Sequence, residues 1–374
     1  MQVFVGTLFS DTFAQAPEGM RFLSYGAIGQ ASRLADRRLL SVVPERYSRL
    51  PGLFASGALQ ADVVLIQAAM SSDGKLSWGL ASDYTLDAAR RARTVVVEVN
   101  PQTPWTYGTP WPDDLRVDAW VLAAHAPLEL PSVSMGKVEK TIAAHVASLV
   151  PDGATLQVGV GALPDATLDA LRQHRALGLH SGVLGDAGLH LIRAGVVDNS
   201  RKGCDVGISV TNTVCGGSDG YAFVASNAAV EVRHSDATHG AAVLSRLHCL
   251  HAINGALEVD LSGQVNCEQL QSRLRGGVGG LLDFARAARQ SDSGGRAITV
   301  LPATVSDAAA SRIVVSLNGP ATMGRADVDV VVTEYGIADL RDVTLDERAR
   351  RLIGVAAPQF RERLESEQRK MKEM

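Results

Sequence analysis

Cysteine is scarce in this chain of 374 residues: there are four, Cys204, Cys215, Cys249 and Cys267. No two stand as a CxxC pair, so the spacing excludes a zinc ribbon or finger, and scattered thiols of this kind fit a reducing cytoplasm better than a disulfide scaffold. Basic excess is also missing. Lys and Arg number 36 against 40 Asp and Glu, a net charge of −4, which leaves no electrostatic footprint for nucleic acid. Long apolar runs are absent, which excludes a membrane-spanning helix. The start, MQVFVGTLFSDTF, lacks the basic n-region and long apolar core of a secretory signal and reads as a first strand and loop. What is plentiful is glycine, 36 residues, in a chain that is 46% hydrophobic and long enough for two domains.

Compact apolar runs alternate with helical patterns. Val3–Val5 and Phe22–Tyr25 read as short strands. Ala61–Gln67 and Thr94–Val99 show no polar alternation, the pattern of strands buried on both faces of a mainly parallel sheet. Between them lie a turn at Ser71–Gly74 and a helix from Thr85. Pro101–Pro112, with four prolines and two tryptophans, reads as a loop, either a surface excursion or a rim or dimer contact. Pro127–Pro131 reads as a linker, which sets a boundary near residue 130: a 1–130 N-terminal α/β domain and a 131–374 C-terminal domain carrying the glycine loops. The order strand, Asp/Ser–Gly turn, short strand, helix, strand occurs over 61–101 and again over 250–304. The expected fold is therefore α/β: two related domains, mainly parallel sheets, with a cleft between them.

Gly159–Ala166 is the first candidate binding element. It follows the apolar run 154–158 and leads into a helical pattern from Thr167. Gly159 and Gly161 would let a ligand approach the backbone, Pro164 suits a first helical turn, and a helix N-terminus favours a phosphate or carboxylate. A simple tight turn is the alternative. Arg275–Gly280 is the second, four glycines in five positions ahead of a helix. Successive N–H groups there can form an oxyanion nest at Gly277, Val278, Gly279 and Gly280. Of nine histidines, His234 and His239 flank Ser235 and Asp236 in a polar stretch able to supply a general base and a carboxylate. His180, with Ser181 and Gly182, ends an apolar strand, where α/β sheets place their chemistry. His248 and His251 read as core or sheet positions, Asp186 as a helix cap, and no metal site is expected.

Six segments together resemble the acetyl-CoA hydrolase/transferase family: 156–171 (LQVGVGALPDATLDAL), 177–202 (LGLHSGVLGDAGLHLIRAGVVDNSRK), 253–268 (INGALEVDLSGQVNCE), 276–288 (GGVGGLLDFARAA), 330–341 (VVVTEYGIADLR) and 347–364 (ERARRLIGVAAPQFRERL). The resemblance implies two related α/β domains, an acyl-CoA thioester as substrate and no permanently bound cofactor. In that family a glutamate two residues after a histidine attacks the thioester, with an asparagine and a glycine loop as oxyanion donors. Here the glutamate position holds Gly182, the asparagine position His239, and the loop keeps Gly280. The family also usually starts with a further strand–loop–helix unit that this chain lacks. The resemblance therefore implies thioester hydrolysis or another acyl-carbonyl reaction with His239 or Asp236 as base. Alternatives are transfer through another carboxylate, Asp236 or Glu268, and a non-catalytic CoA-binding or scaffold protein with a partner subunit. Asn266 and Glu268 join the expected binding residues, and a homodimer is the expected assembly.

Overall fold

The computed structural model describes every residue except 132, 133, 160, 292, 306, 307 and 374. β-Branched and leucine-rich runs form nine strands of one sheet: Tyr107–Gly108 (β1), Thr155–Val158 (β2), Gly178–Leu184 (β3), Ser209–Val214 (β4), Val230–Val232 (β5), Leu250–Gly255 (β6), Arg296–Val300 (β7), Val330–Thr333 (β8) and Gly336–Asp339 (β9). They lie in the order β9-β8-β7-β6-β2-β3-β4-β5-β1, and each neighbouring pair is parallel except β8 with β9. Helices cross between most consecutive strands from β1 to β7, including Ala162–Ala170 (α1) between β2 and β3 and Leu281–Arg289 (α3) between β6 and β7. Both faces are thereby covered. Leu156, Leu177, Val210, Val230, Ile253 and Val332 show no exposed surface, and each such side chain contributes about 1.5–3 kcal/mol of burial.

The chain runs outward from β2 to β3, β4 and β5, then returns to the other side of β2 as β6. That reversal opens a crevice at the carboxyl ends of the strands, where open α/β sheets bind ligands. Gly182 lies in β3 and His239 ends the short helix Ser235–His239 (α2) that follows β5.

The N-terminal part builds a second sheet of four strands around Val63–Met70 and Thr94–Val99, which pair in parallel. The expectation that these strands are buried on both faces is corrected here. Val63 and Leu65 are 53% and 73% exposed, and burial alternates along both strands. Helices Leu50–Ser56 and Thr85–Arg91 cover one face only, through Phe54, Tyr84, Ala88 and Ala89. An unbroken apolar run therefore did not report two covered faces. The repeat is visible in three dimensions: in each half a strand, a helix and a parallel neighbour follow one another, 63–70 with 94–99 and 250–255 with 296–300. Within Pro101–Pro112, Tyr107–Gly108 is a strand, pairing with β5 at the edge of the large sheet. A cavity of about 470 Å³ opens where loops at the carboxyl ends of the two sheets meet, lined by Ser71, Gln102, Trp105, Glu129, Ser218 and Tyr221 among others.

Candidate active site

The loop 275–280 is a stitched seam. Arg275 N and Gly276 N donate to Glu268 O at 2.7 and 3.2 Å, Ala27 N donates to Gly276 O at 2.8 Å, and Tyr47 N to Gly279 O at 2.9 Å. Two segments far away in sequence thus hold it from the N-terminal side. A Cβ on Gly277 would stand 2.6 Å from Gly26 Cα, so the close backbone approach requires glycine. Just beyond, Asp283 accepts from Ser48 N (3.2 Å) and Ser48 Oγ (2.8 Å) and pairs with Arg46 at 3.3 Å. These bonds fix the start of α3, whose N-cap, Gly280, receives no side-chain cap.

His239 stands against this seam, 4% exposed. A Cβ built on Gly182 would meet His239 Nε2 at 2.7 Å, and one built on Gly280 would meet the same atom at 2.6 Å. The imidazole therefore fills the space that side chains at 182 and 280 would use. Tyr47 lies over it with ring centroids 4.6 Å apart, and Phe284 packs edge-on at 5.0 Å. Tyr47 is itself held by its hydroxyl, which donates to Asn212 Oδ1 at 2.8 Å.

The network admits a tautomer with Nε2 unprotonated. His239 Nδ1 lies 2.7 Å from Thr238 Oγ1, and that hydroxyl also reaches the carbonyls of Ser235 and His234 at 3.3 and 3.4 Å. Carbonyls only accept, so when the hydroxyl hydrogen is given to them Nδ1 carries the ring hydrogen. Nε2 then presents a lone pair at the junction of Gly182 and Gly280. Burial pushes His239 down to about 3, so the ring is neutral. This geometry suits a base or nucleophile, and it does not suit donation to an oxyanion through Nε2.

Other expected residues sit apart from this point. Asp236 is at the surface, with its side chain 76% exposed and its carboxylate 3.8 Å from His234 Nδ1. It makes no contact with His239, whose shift comes from burial alone, so Asp236 is not its partner. His180 is fully buried, and its Nε2 donates to Thr238 O at 3.0 Å, which pins the turn of α2 that carries His239. Burial, with Lys202 next, pushes His180 to about 3. Ser181 Oγ donates to Val158 O at 2.8 Å and ties β3 to β2. Ser181 is used in joining the strands and His180 joins elements through Nε2, while His180 Nδ1 is buried without a hydrogen-bond partner. Asn266 Oδ1 accepts from Glu268 N and Gln269 N, both at 3.0 Å, and Glu268 Oε1 accepts from Thr322 Oγ1 at 2.8 Å. Both support the glycine seam from behind. Among the described residues only Pro164 would contact a Cβ on Gly159, and Gly161 has φ +122°, a conformation that favours glycine, as it starts α1. Val160 lies outside the described residues. His251 is buried and bonded to backbone carbonyls, while His248 is exposed. Among the described residues no three His, Cys, Asp or Glu side chains cluster to hold a metal, and no helix is long and apolar enough to cross a membrane.

Tyr47, Asn212, Thr238 and Phe284 were not anticipated. Thr238 was the accessible one, being adjacent to His239; the others come from distant elements and carry no local signal.

The chain matches the acetyl-CoA hydrolase/transferase N-terminal domain over residues 11–111 and the C-terminal domain over 216–368. It is 40% identical over 327 residues to 4-hydroxybutyrate coenzyme A transferase of Clostridium kluyveri, covering 87% of this chain and 76% of that one. The structure of RipA from Yersinia pestis superposes with a TM-score of 0.92 at 31% identity, covering 100% of this chain and 88% of the other. That of 4-hydroxybutyrate CoA-transferase from Porphyromonas gingivalis does so with 0.80 at 31% identity, covering 99% and 93%. The chain belongs to the acetyl-CoA hydrolase/transferase family.

Proposed function

We propose that this enzyme acts on acyl-CoA thioesters by hydrolysis, or another acyl-carbonyl reaction, in which His239 Nε2 takes the place of a carboxylate at position 182. The observation that supports this is the single location of Nε2, against both Gly182 and Gly280. Gly182 has no side chain to form an acyl anhydride. A thioester carbonyl seated on the glycine seam at Gly280 would lie beside the Nε2 lone pair. Nε2 takes the proton of an attacking water, the tetrahedral intermediate is held by backbone N–H groups of the seam, the C–S bond breaks, and CoA leaves as the thiolate and regains the proton. Burial makes the free imidazole weakly basic. The negative charge developing on the carbonyl oxygen beside it favours the imidazolium at the moment the proton moves.

Transfer through Glu268 or Asp236 draws no support from geometry: the first is held behind the seam and the second is at the surface. The test is release of free CoA from acetyl-, butyryl- and malonyl-type thioesters with and without an added carboxylic acid. Release without the acid is expected, and His239→Ala is expected to lower kcat by roughly 10²–10⁴-fold. Release that needs the acid and gives ping-pong kinetics, or survives His239→Ala, sinks the reading. Binding without turnover supports a CoA-binding protein instead.

A further inference from the structure

The helix carrying His239 is short. α2 has five residues, too few to hold its own orientation through internal hydrogen bonds. Its entry is held by the N-terminal half. His234, the N-cap, has Nε2 2.8 Å from Asp87 Oδ2, an acid on the helix Thr85–Arg91. His234 N donates to Thr109 Oγ1 at 2.7 Å. His234 Nδ1 lies 3.3 Å from Asp236 N and accepts from it, the one side-chain cap on this helix. The preceding carbonyl, Arg233 O, accepts from Asn212 Nδ2 at 3.0 Å, and the same amide nitrogen reaches Ser82 O at 2.6 Å. The His234 and Asp87 side chains are 16% and 21% exposed, so the pair is largely shielded from solvent.

We propose that the His234–Asp87 pair is a positioning clamp: it fixes the orientation of α2 across the two halves of the chain and thereby sets His239 Nε2 against Gly182 and Gly280. This rests on the role given to His239 above. The charged groups facing His234 are Asp87, Asp83 from the turn ahead of that helix and Asp236 on α2 itself, while neighbouring Arg233 is engaged by Glu231 and Asp205. Burial pushes the imidazole down, but the bond and charge of Asp87, with Asp236 and Asp83, outweigh it and hold His234 above its ordinary 6.5. A raised value means that the charged pair is fully formed below 6.5 and is lost as pH rises through the folded value. The same protonation takes up the Nδ1 lone pair that accepts from Asp236 N, so charging strengthens the bond to Asp87 and releases the cap.

The experiment compares Asp87→Asn, His234→Asn and His234→Gln. An asparagine at 234 keeps an oxygen near the Nδ1 position, able to cap α2, but cannot reach Asp87. A glutamine places its amide near the Nε2 position and keeps the reach. Thioester turnover is expected to fall about tenfold or more in kcat, at unchanged KM, in D87N and H234N, since small displacements of a reacting group carry costs of that order. H234Q is expected to retain most of it. The double variant D87N/H234N should lose no more than either single one. Unchanged kcat in both D87N and H234N, equal loss in H234Q, or additive losses overturn the clamp. On histidine-labelled protein, the His239 ring resonances should move in D87N and H234N and stay in H234Q, and resonances unmoved in the first two overturn it without reference to turnover. His239→Ala separates the two ideas: if it is inactive while D87N is fully active, the clamp fails and the role of His239 stands.

Discussion

Placing a glutamate at position 182 should damage the protein unless His239 is shortened with it. In Gly182→Glu the new Cβ would stand 2.7 Å from His239 Nε2 and 3.0 Å from Cε1, where ordinary contacts begin near 3.4 Å. The imidazole must retreat by several tenths of an ångström before the rest of the glutamate is placed. Its retreat is resisted, because Gly280 lies against the same atom and Tyr47 and Phe284 pack on the ring. Overpacking of this kind costs about 1–3 kcal/mol. At roughly 2–4 °C per kcal/mol for a domain of 150–250 residues, the melting temperature should drop by several degrees. Asparagine at 239 removes the far ring atoms and with them the collision.

The double variant Gly182→Glu/His239→Asn should therefore recover much of what Gly182→Glu loses, a coupling of about 0.5–3 kcal/mol in a double-mutant cycle. The assay is denaturant unfolding of all four proteins, followed by CoA exchange between acyl-CoA and a free carboxylic acid. Exchange should appear in the double variant and not in Gly182→Glu alone. Additive stabilities, or a Gly182→Glu protein as stable as the parent, would show that His239 does not occupy the position described and would refute the reasoning.

The remaining expectations concern pH and the seam. His180 and His239 are both held near 3 in the fold against 6.5 when unfolded, so the unfolded chain binds protons first and stability falls as pH drops from 6.5 towards 3; His239→Asn should flatten that dependence in urea titrations, and an unchanged slope would contradict it. Gly277→Ala would press a methyl within 2.6 Å of Gly26 Cα and 2.8 Å of Tyr25 O, backbone on both counts. It should destabilise by about 1–3 kcal/mol and speed protease cleavage of the first 60 or so residues, with equal cleavage rates counting against the seam.

Local chemistry was legible in the sequence and long-range placement was not. Two glycine clusters and a polar stretch 234–239 announced themselves through spacing and turn chemistry, whereas His180-Ser181-Gly182, expected to end a strand, lie inside one that runs on to Leu184. The roles within those stretches were another matter. His180 and Ser181 are consumed in joining β3 to its neighbours, and only a register between strands reveals that. Tyr47 reaches His239 from a segment some 190 residues earlier, and Asp87 reaches His234 across a separation of 147. Neither leaves a periodic trace. Leu65 shows the same limit in the fold: an apolar run fixes a strand, but whether its second face is covered depends on elements that the run does not encode.

Position 182 and position 239 make chemical sense together and little sense apart. Beside a long acid at 182, an imidazole at 239 would collide with it; beside a glycine at 182, an asparagine at 239 would leave a gap of roughly the difference between the two side chains. Glycine with histidine puts the electron pair on the helix facing the strand and not on the strand itself. Under the function proposed above, the pair alters the chemistry: a carboxylate that forms a covalent anhydride would give way to a neutral base able to serve water. The clamp from Asp87 to His234 then has a purpose that a strand-borne nucleophile would not need: a group on a five-residue helix has to be held from outside.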